Sequence, residues 1–126
     1  MTFKGKEVKV VLSARATEQF NELNQVVGDE LKRGVTSSIH QSILKSIDRV
    51  KGWLKDNPFV GDQVKKGQIP DCYIEEAGIT NLWRIELSNY WRLMYTIQSN
   101  EVEVIDFVLD IIDHKEYDKK FGYKGK

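Results

Sequence analysis

The sequence predicts one α+β domain spanning residues 1–126: an N-terminal strand, a helical hairpin, a three-stranded antiparallel meander and a short terminal helix. Three observations carry this. Apolar residues recur at three and four between positions 16 and 54. A Gly- and Pro-punctuated stretch follows, and after it come three apolar runs separated by Ser-Asn pairs. A chain of 126 residues can bury roughly two thirds of its unfolded surface without disulfides or metals.

Residues 7–12 (EVKVVL) read as a mostly buried strand. Ser13 is placed to cap a first helix, in which Ala16, Phe20, Leu23, Val27 and Leu31 form the inward stripe. Arg33-Gly34 should end it, since glycine suits the left-handed residue beyond a helix and Lys32 and Arg33 complement the dipole. Thr36, Ser37 and Ser38 offer caps for a second helix with the stripe Ile39, Ile43, Ile47, Val50 and Leu54, stopped at Asn57-Pro58. From Asn57 to Thr80 periodicity is lost, and the expectation is an ordered loop with one helical turn near Tyr73 to Ala77.

The runs 82–87, 90–97 and 101–112 read as the meander, packed with the N-terminal strand in one twisted sheet whose one face carries the helices. Register follows from burial. Trp83, Ile85 and Leu87 and their counterparts Trp91, Leu93, Tyr95 and Ile97 are all odd, so odd residues must face odd residues. A two-residue loop would set Arg84 and Arg92 on opposite faces, whereas a three-residue loop, 88–90, pairs Leu87 with Trp91 and puts both arginines on one face with Glu86 and Met94. Glu86 then lies directly across from Arg92. In the third run the apolar phase changes from even to odd. Either a β-bulge near 104–106 accounts for this, or the strand is central and buried on both faces, with Asp106 and Asp110 partnered by groups such as Arg84 or Arg92.

Hydrophobic residues make up 40% of the chain and charged residues 30%, a balance that excludes a disordered or membrane-embedded chain. The run Val8–Leu12 is too short and too charged for a signal peptide or a membrane span, which points to the cytoplasm. One cysteine, Cys72, and two histidines, His40 and His114, give no metal-binding or redox pattern, so neither cofactor nor metal is expected. Net charge is zero but unevenly spread: residues 45–66 hold six basic side chains against three acidic ones, and residues 71–110 hold eight acidic ones against Arg84 and Arg92. In DHKEYDKKFGYKGK, Asp113 can cap a short helix that sets His114 and Tyr117 one turn apart on the same side.

The order of these elements resembles the RelE/ParE superfamily of type II toxins over nearly the whole chain. NLWRIELSNYWRLMYTI looks like that family's central hairpin, and DHKEYDKKFGY looks like the terminal segment of a RelE-like branch. The resemblance implies a toxin bound by a cognate antitoxin, whose RelE-like members cleave messenger RNA on the ribosome without metal. Such cleavage needs cationic clamps on the phosphate, a base and an acid. By position the resemblance assigns these roles to Arg92 and Arg84 as clamps, to His114 as base or acid, and to Tyr117 as hydroxyl donor or base-stacking platform. Lys65, Lys66 and Lys115 become RNA-backbone contacts. Glu86 departs from the pattern, standing where several RelE-like toxins carry a second basic residue, and the zero net charge is unlike the strongly basic ribonuclease toxins. The same resemblance admits a ParE-like inhibitor of DNA gyrase, or a catalytically inactive domain that only binds an antitoxin.

Overall fold

The N-terminal strand and the hairpin helices form as their caps direct. The computed structural model describes residues 2–122, with strands β1 (Thr2–Phe3) and β2 (Lys6–Leu12) followed by helices α1 (Ala14–Lys32) and α2 (Ile39–Asp56). The Ser13 hydroxyl accepts from the Ala16 amide and the Ser38 hydroxyl from the Gln41 amide. Gly34 takes the left-handed conformation past α1, φ 83°, where a Cβ would be strained. Strand β3 (Asp62–Gln63) and helix α3 (Asp71–Ala77) come next, then β4 (Trp83–Glu86), β5 (Arg92–Ser99), β6 (Glu103–Ile112) and α4 (His114–Phe121).

The sheet has six strands in the order β1-β2-β6-β5-β4-β3, antiparallel throughout except for the β2–β6 pair, which is parallel. The β4–β5 register is the expected one, with Glu86 opposite Arg92, Arg84 opposite Met94 and the Leu87 amide bonded to the Trp91 carbonyl. On one face the hairpin α1–α2 packs its Leu23, Ile43, Ile47, Val50 and Leu54 against Leu93, Tyr95, Val108 and Ile111. The opposite face is covered too: Val64, Ile69, Tyr73 and Tyr117 bury Leu82, Met94, Leu109 and Ile112. The stretch read as a loop therefore builds a second core, and α3 extends over the helical turn expected there.

Several local expectations change. Strand β2 alternates instead of being mostly buried, since Glu7, Lys9 and Val11 lie on an outer face that no described element covers. Leu31 and Ile39 are exposed, because at the turn of the hairpin the inward position goes to Glu30, whose carboxylate accepts from Ser38 at 2.5 Å and Gln41 at 3.2 Å. Those bonds hold the Glu30 carboxyl below its usual range. Strand β6 is central and buried on both faces, and its bulge lies at Leu109, between the Met94–Asp110 and Tyr95–Val108 pairs, instead of near 104–106. Neither aspartate of β6 meets Arg84 or Arg92. Asp110 accepts from Tyr73 at 2.9 Å and Gln19 at 2.7 Å, with Arg15 3.6 Å and Lys120 3.8 Å away. The Asp106 carboxylate has no hydrogen-bond partner among the described residues, and burial pushes its pKa up to about 8. Where β2 stops, α1 takes over the edge of β6: Gln19 accepts the Ile111 amide at 2.7 Å. No described helix is long and apolar enough to cross a membrane.

Candidate functional site

The alternation of the β4–β5 hairpin sends Arg84 and Arg92 to the sheet face opposite α1 and α2, and α4 is laid across that face. Asp113 caps α4 by accepting from the Glu116 amide at 2.8 Å, which sets His114 in the first turn and Tyr117 one turn later. The Tyr117 ring is buried and stacked on Phe121, with centroids 4.4 Å apart. Both guanidiniums lie against it, Arg92 at 4.7 Å and Arg84 at 5.7 Å from the ring centroid. Arg84 also donates to the Tyr117 hydroxyl, and Arg92 donates to the Tyr90 carbonyl.

These four residues line one cleft of about 340 Å3 together with Asp62, Glu86 and Asp118. Two guanidiniums held beside one ring repel each other, and an anion received between them relieves that repulsion. A planar fork suits phosphate oxygens in particular. The carboxylates temper this field: Glu86 comes within 3.7 Å of Arg92, and Asp118 within 3.1 Å of the His114 Nε2. That last contact orients the imidazole and leaves Nδ1 as the nitrogen open to another partner. Among the described residues no His, Cys, Asp and Glu side chains cluster in a way that could hold a metal ion. A second depression of about 360 Å3 lies on the far side of the first turn of α4, lined by Gln19, Glu22, Val26, His40, Trp91 and Glu116 among others; it contains none of the expected site residues.

No protein-family model matches the chain, and no curated protein does. A solved structure matches, a YoeB/ParE toxin from Agrobacterium tumefaciens, at TM-score 0.53 and 13% identity, over 84% of this chain and 98% of that one. The chain shares the fold of that YoeB/ParE toxin.

Within that fold the sequence expectations fare unequally. Arg84, Arg92, His114 and Tyr117 come together in the cleft, whereas Lys65, Lys66 and Lys115 stand exposed outside its lining. Tyr117 is corrected in one respect. With Phe121 stacked on its ring and the guanidiniums against it, it offers no open face to a base, so the stacking role does not fit it. Three residues at the cleft escaped the sequence reading. Asp118 was detectable, lying four residues after His114 on the same helix face. Asp62 reaches the site because β3 pairs it with Arg84, and two residues of strand inside an aperiodic stretch leave no pattern to read. Tyr90 sits in the hairpin loop, its ring 5.9 Å from that of His114.

Proposed function

We propose that this chain is the toxin of a type II toxin-antitoxin pair and acts as a metal-independent endoribonuclease on messenger RNA at the ribosome. The observation that carries the reading is the gathering of two guanidiniums, a phenol and an imidazole in one cleft of a RelE/ParE-like fold. Arg92 and Arg84 bind the scissile phosphate and meet the extra negative charge as the ribose 2′-oxygen attacks phosphorus. His114, oriented by Asp118, takes the 2′-hydroxyl proton. The Tyr117 hydroxyl protonates the departing 5′-oxygen, and Arg84, which already donates to that hydroxyl, meets the charge left on it. The P–O5′ bond breaks as the P–O2′ bond forms, leaving a cyclic phosphate. Lys65, Lys66 and Lys115 would contact RNA backbone away from the reacting phosphate.

The test is RNA integrity and growth on induction, beside cleavage of a defined RNA by purified protein. Arg92→Ala should cleave about 100- to 1,000-fold more slowly, the loss typical of a removed charge-stabilising donor. Cleavage by Arg92→Ala at the wild-type rate rejects the site.

The three carboxylates in the cleft, Asp62, Glu86 and Asp118, favour a second reading in which the fold binds a protein target such as DNA gyrase, or only an antitoxin, and transfers no proton. Growth arrest by His114→Ala and Tyr117→Ala with RNA intact would select gyrase-type inhibition. No growth arrest by wild type would select the inactive binder.

A further inference from the structure

The loop between β4 and β5 turns through two consecutive left-handed residues, Asn89 at φ 58° and Tyr90 at φ 64°. Asparagine tolerates that conformation and glycine is the residue such a pair favours at its second position; a bulky aromatic there is an outlier. Packing does not explain it. The Tyr90 residue is 69% exposed, while Tyr73, Tyr95 and Tyr117 are all buried. Its surroundings are those of the cleft: Arg92 donates to its carbonyl, and the His114 ring lies 5.9 Å away, tilted by 57°. An aromatic face thus stands open to solvent at the mouth of the site, in a backbone conformation that costs the fold something and on a loop tied to the principal guanidinium. Backbone strain kept where it serves no packing purpose points to a function outside the fold.

We propose that Tyr90 is the stacking surface for the nucleobase adjoining the phosphate held by Arg92 and Arg84, an inference that rests on the ribonuclease reading. Because Arg92 is bonded to the Tyr90 carbonyl, the base-binding ring and the phosphate-binding fork form one unit, and a base lying on the ring brings its ribose toward His114. The contact is to a π-face, so it supplies affinity and alignment for single-stranded RNA without reading a base edge. The buried Tyr117, held against the Arg92 guanidinium, serves the phosphate instead.

The experiment measures binding of a fluorescently labelled, uncleavable 2′-O-methyl oligoribonucleotide, and of the same strand carrying abasic residues, to wild type, Tyr90→Gly and Tyr90→Phe. Glycine fits the left-handed φ, so Tyr90→Gly keeps the loop and should melt no lower than wild type. It should nevertheless bind the intact oligonucleotide about tenfold more weakly, the order expected for one lost base stack. Tyr90→Phe should bind like wild type, and the abasic strand should not distinguish wild type from Tyr90→Gly. Equal binding of the intact strand by wild type and Tyr90→Gly overturns the stacking role while leaving the ribonuclease reading standing, as does an equal loss on the abasic strand. Failure of wild type to bind either strand overturns both.

Discussion

Glu86 faces Arg92 directly across the β4–β5 hairpin, its carboxylate 3.7 Å from a guanidinium whose side chain is only 11% exposed. Arg92 has two further holds, the Tyr90 carbonyl and the Tyr117 ring, so it does not depend on Glu86 for its position. On the proposed ribonuclease reading, the Glu86 charge therefore opposes an incoming phosphate more than it organises the arginine. Glu86→Gln should change stability by less than about 1 kcal/mol, as for an exposed ion pair, and strengthen RNA binding several-fold at low salt. Weaker binding by this variant, read in the same anisotropy assay, would show that the carboxylate orients the arginine.

Gly61 lies too close to β4 to leave room for a side chain. A Cβ there would stand 2.6 Å from the Arg84 carbonyl oxygen and 2.7 Å from the Tyr95 hydroxyl, which accepts from the Gly61 amide and donates to the Pro58 carbonyl. Gly61→Ala must push β3 away from β4, at a cost of about 1–3 kcal/mol. Because the clash falls on the Arg84 backbone, which β3 pairs with, the displacement disturbs the Arg84 guanidinium, and RNA cleavage should fall together with the melting temperature. Wild-type stability in this variant would mean that the approach relaxes freely.

Asp106, which has no hydrogen-bond partner among the described residues, makes stability depend on pH in a definite direction. Burial raises its folded pKa to about 8, against about 3.9 unfolded, so the native state binds the proton more tightly. Its contribution is complete below about pH 4, declines as pH rises through the interval to about pH 8 by up to about 1.4 kcal/mol per unit, and is level above that. Asp106→Asn removes the titration, so denaturant unfolding at pH 5 and pH 8 should differ less than for wild type. An unchanged difference assigns the slope to other groups.

Tyr73 donates to the fully buried Asp110, and burial pushes the phenol pKa upward, so it remains protonated and able to donate throughout the ordinary pH range. Tyr73→Phe leaves one carboxylate oxygen with Arg15 and Lys120 at 3.6 and 3.8 Å as its nearest charges. The expected loss is about 1–3 kcal/mol by chemical denaturation, without change in the Arg84–Arg92 cleft. A loss of RNA cleavage larger than the stability change explains would tie α3 to the site.

What could be read from the letters, and what could not, divides along local and tertiary causes. Ser13, Ser38 and Asn57-Pro58 bound the two helices because caps act within a few residues. The hairpin register followed from period-two burial on both strands, and with it the shared face of Arg84 and Arg92. The second core was hidden, since Val64, Ile69 and Tyr73 acquire partners only through long-range packing and show no repeating interval. The bulge at Leu109 was masked for a related reason: a strand covered on both faces is apolar on both phases, so a slip of one residue leaves no gap in the pattern. Burial of Tyr117 depends on α4 crossing the sheet, a fact of topology and not of spacing.

The parallel pairing of β2 with β6 also governs the order in which the molecule can assemble. The contact between Ser13 and Leu109 spans 96 positions of chain, and the central strand of the sheet is also its last. During synthesis the helical hairpin emerges after β1 and β2 with its apolar stripes, and the sheet face it closes against is complete only when β6 leaves the ribosome. His114 and Tyr117 follow β6 directly, so the cleft comes into being only as the sheet itself is completed. Completion of the sheet and completion of the cleft are thereby tied to the same late segment of chain.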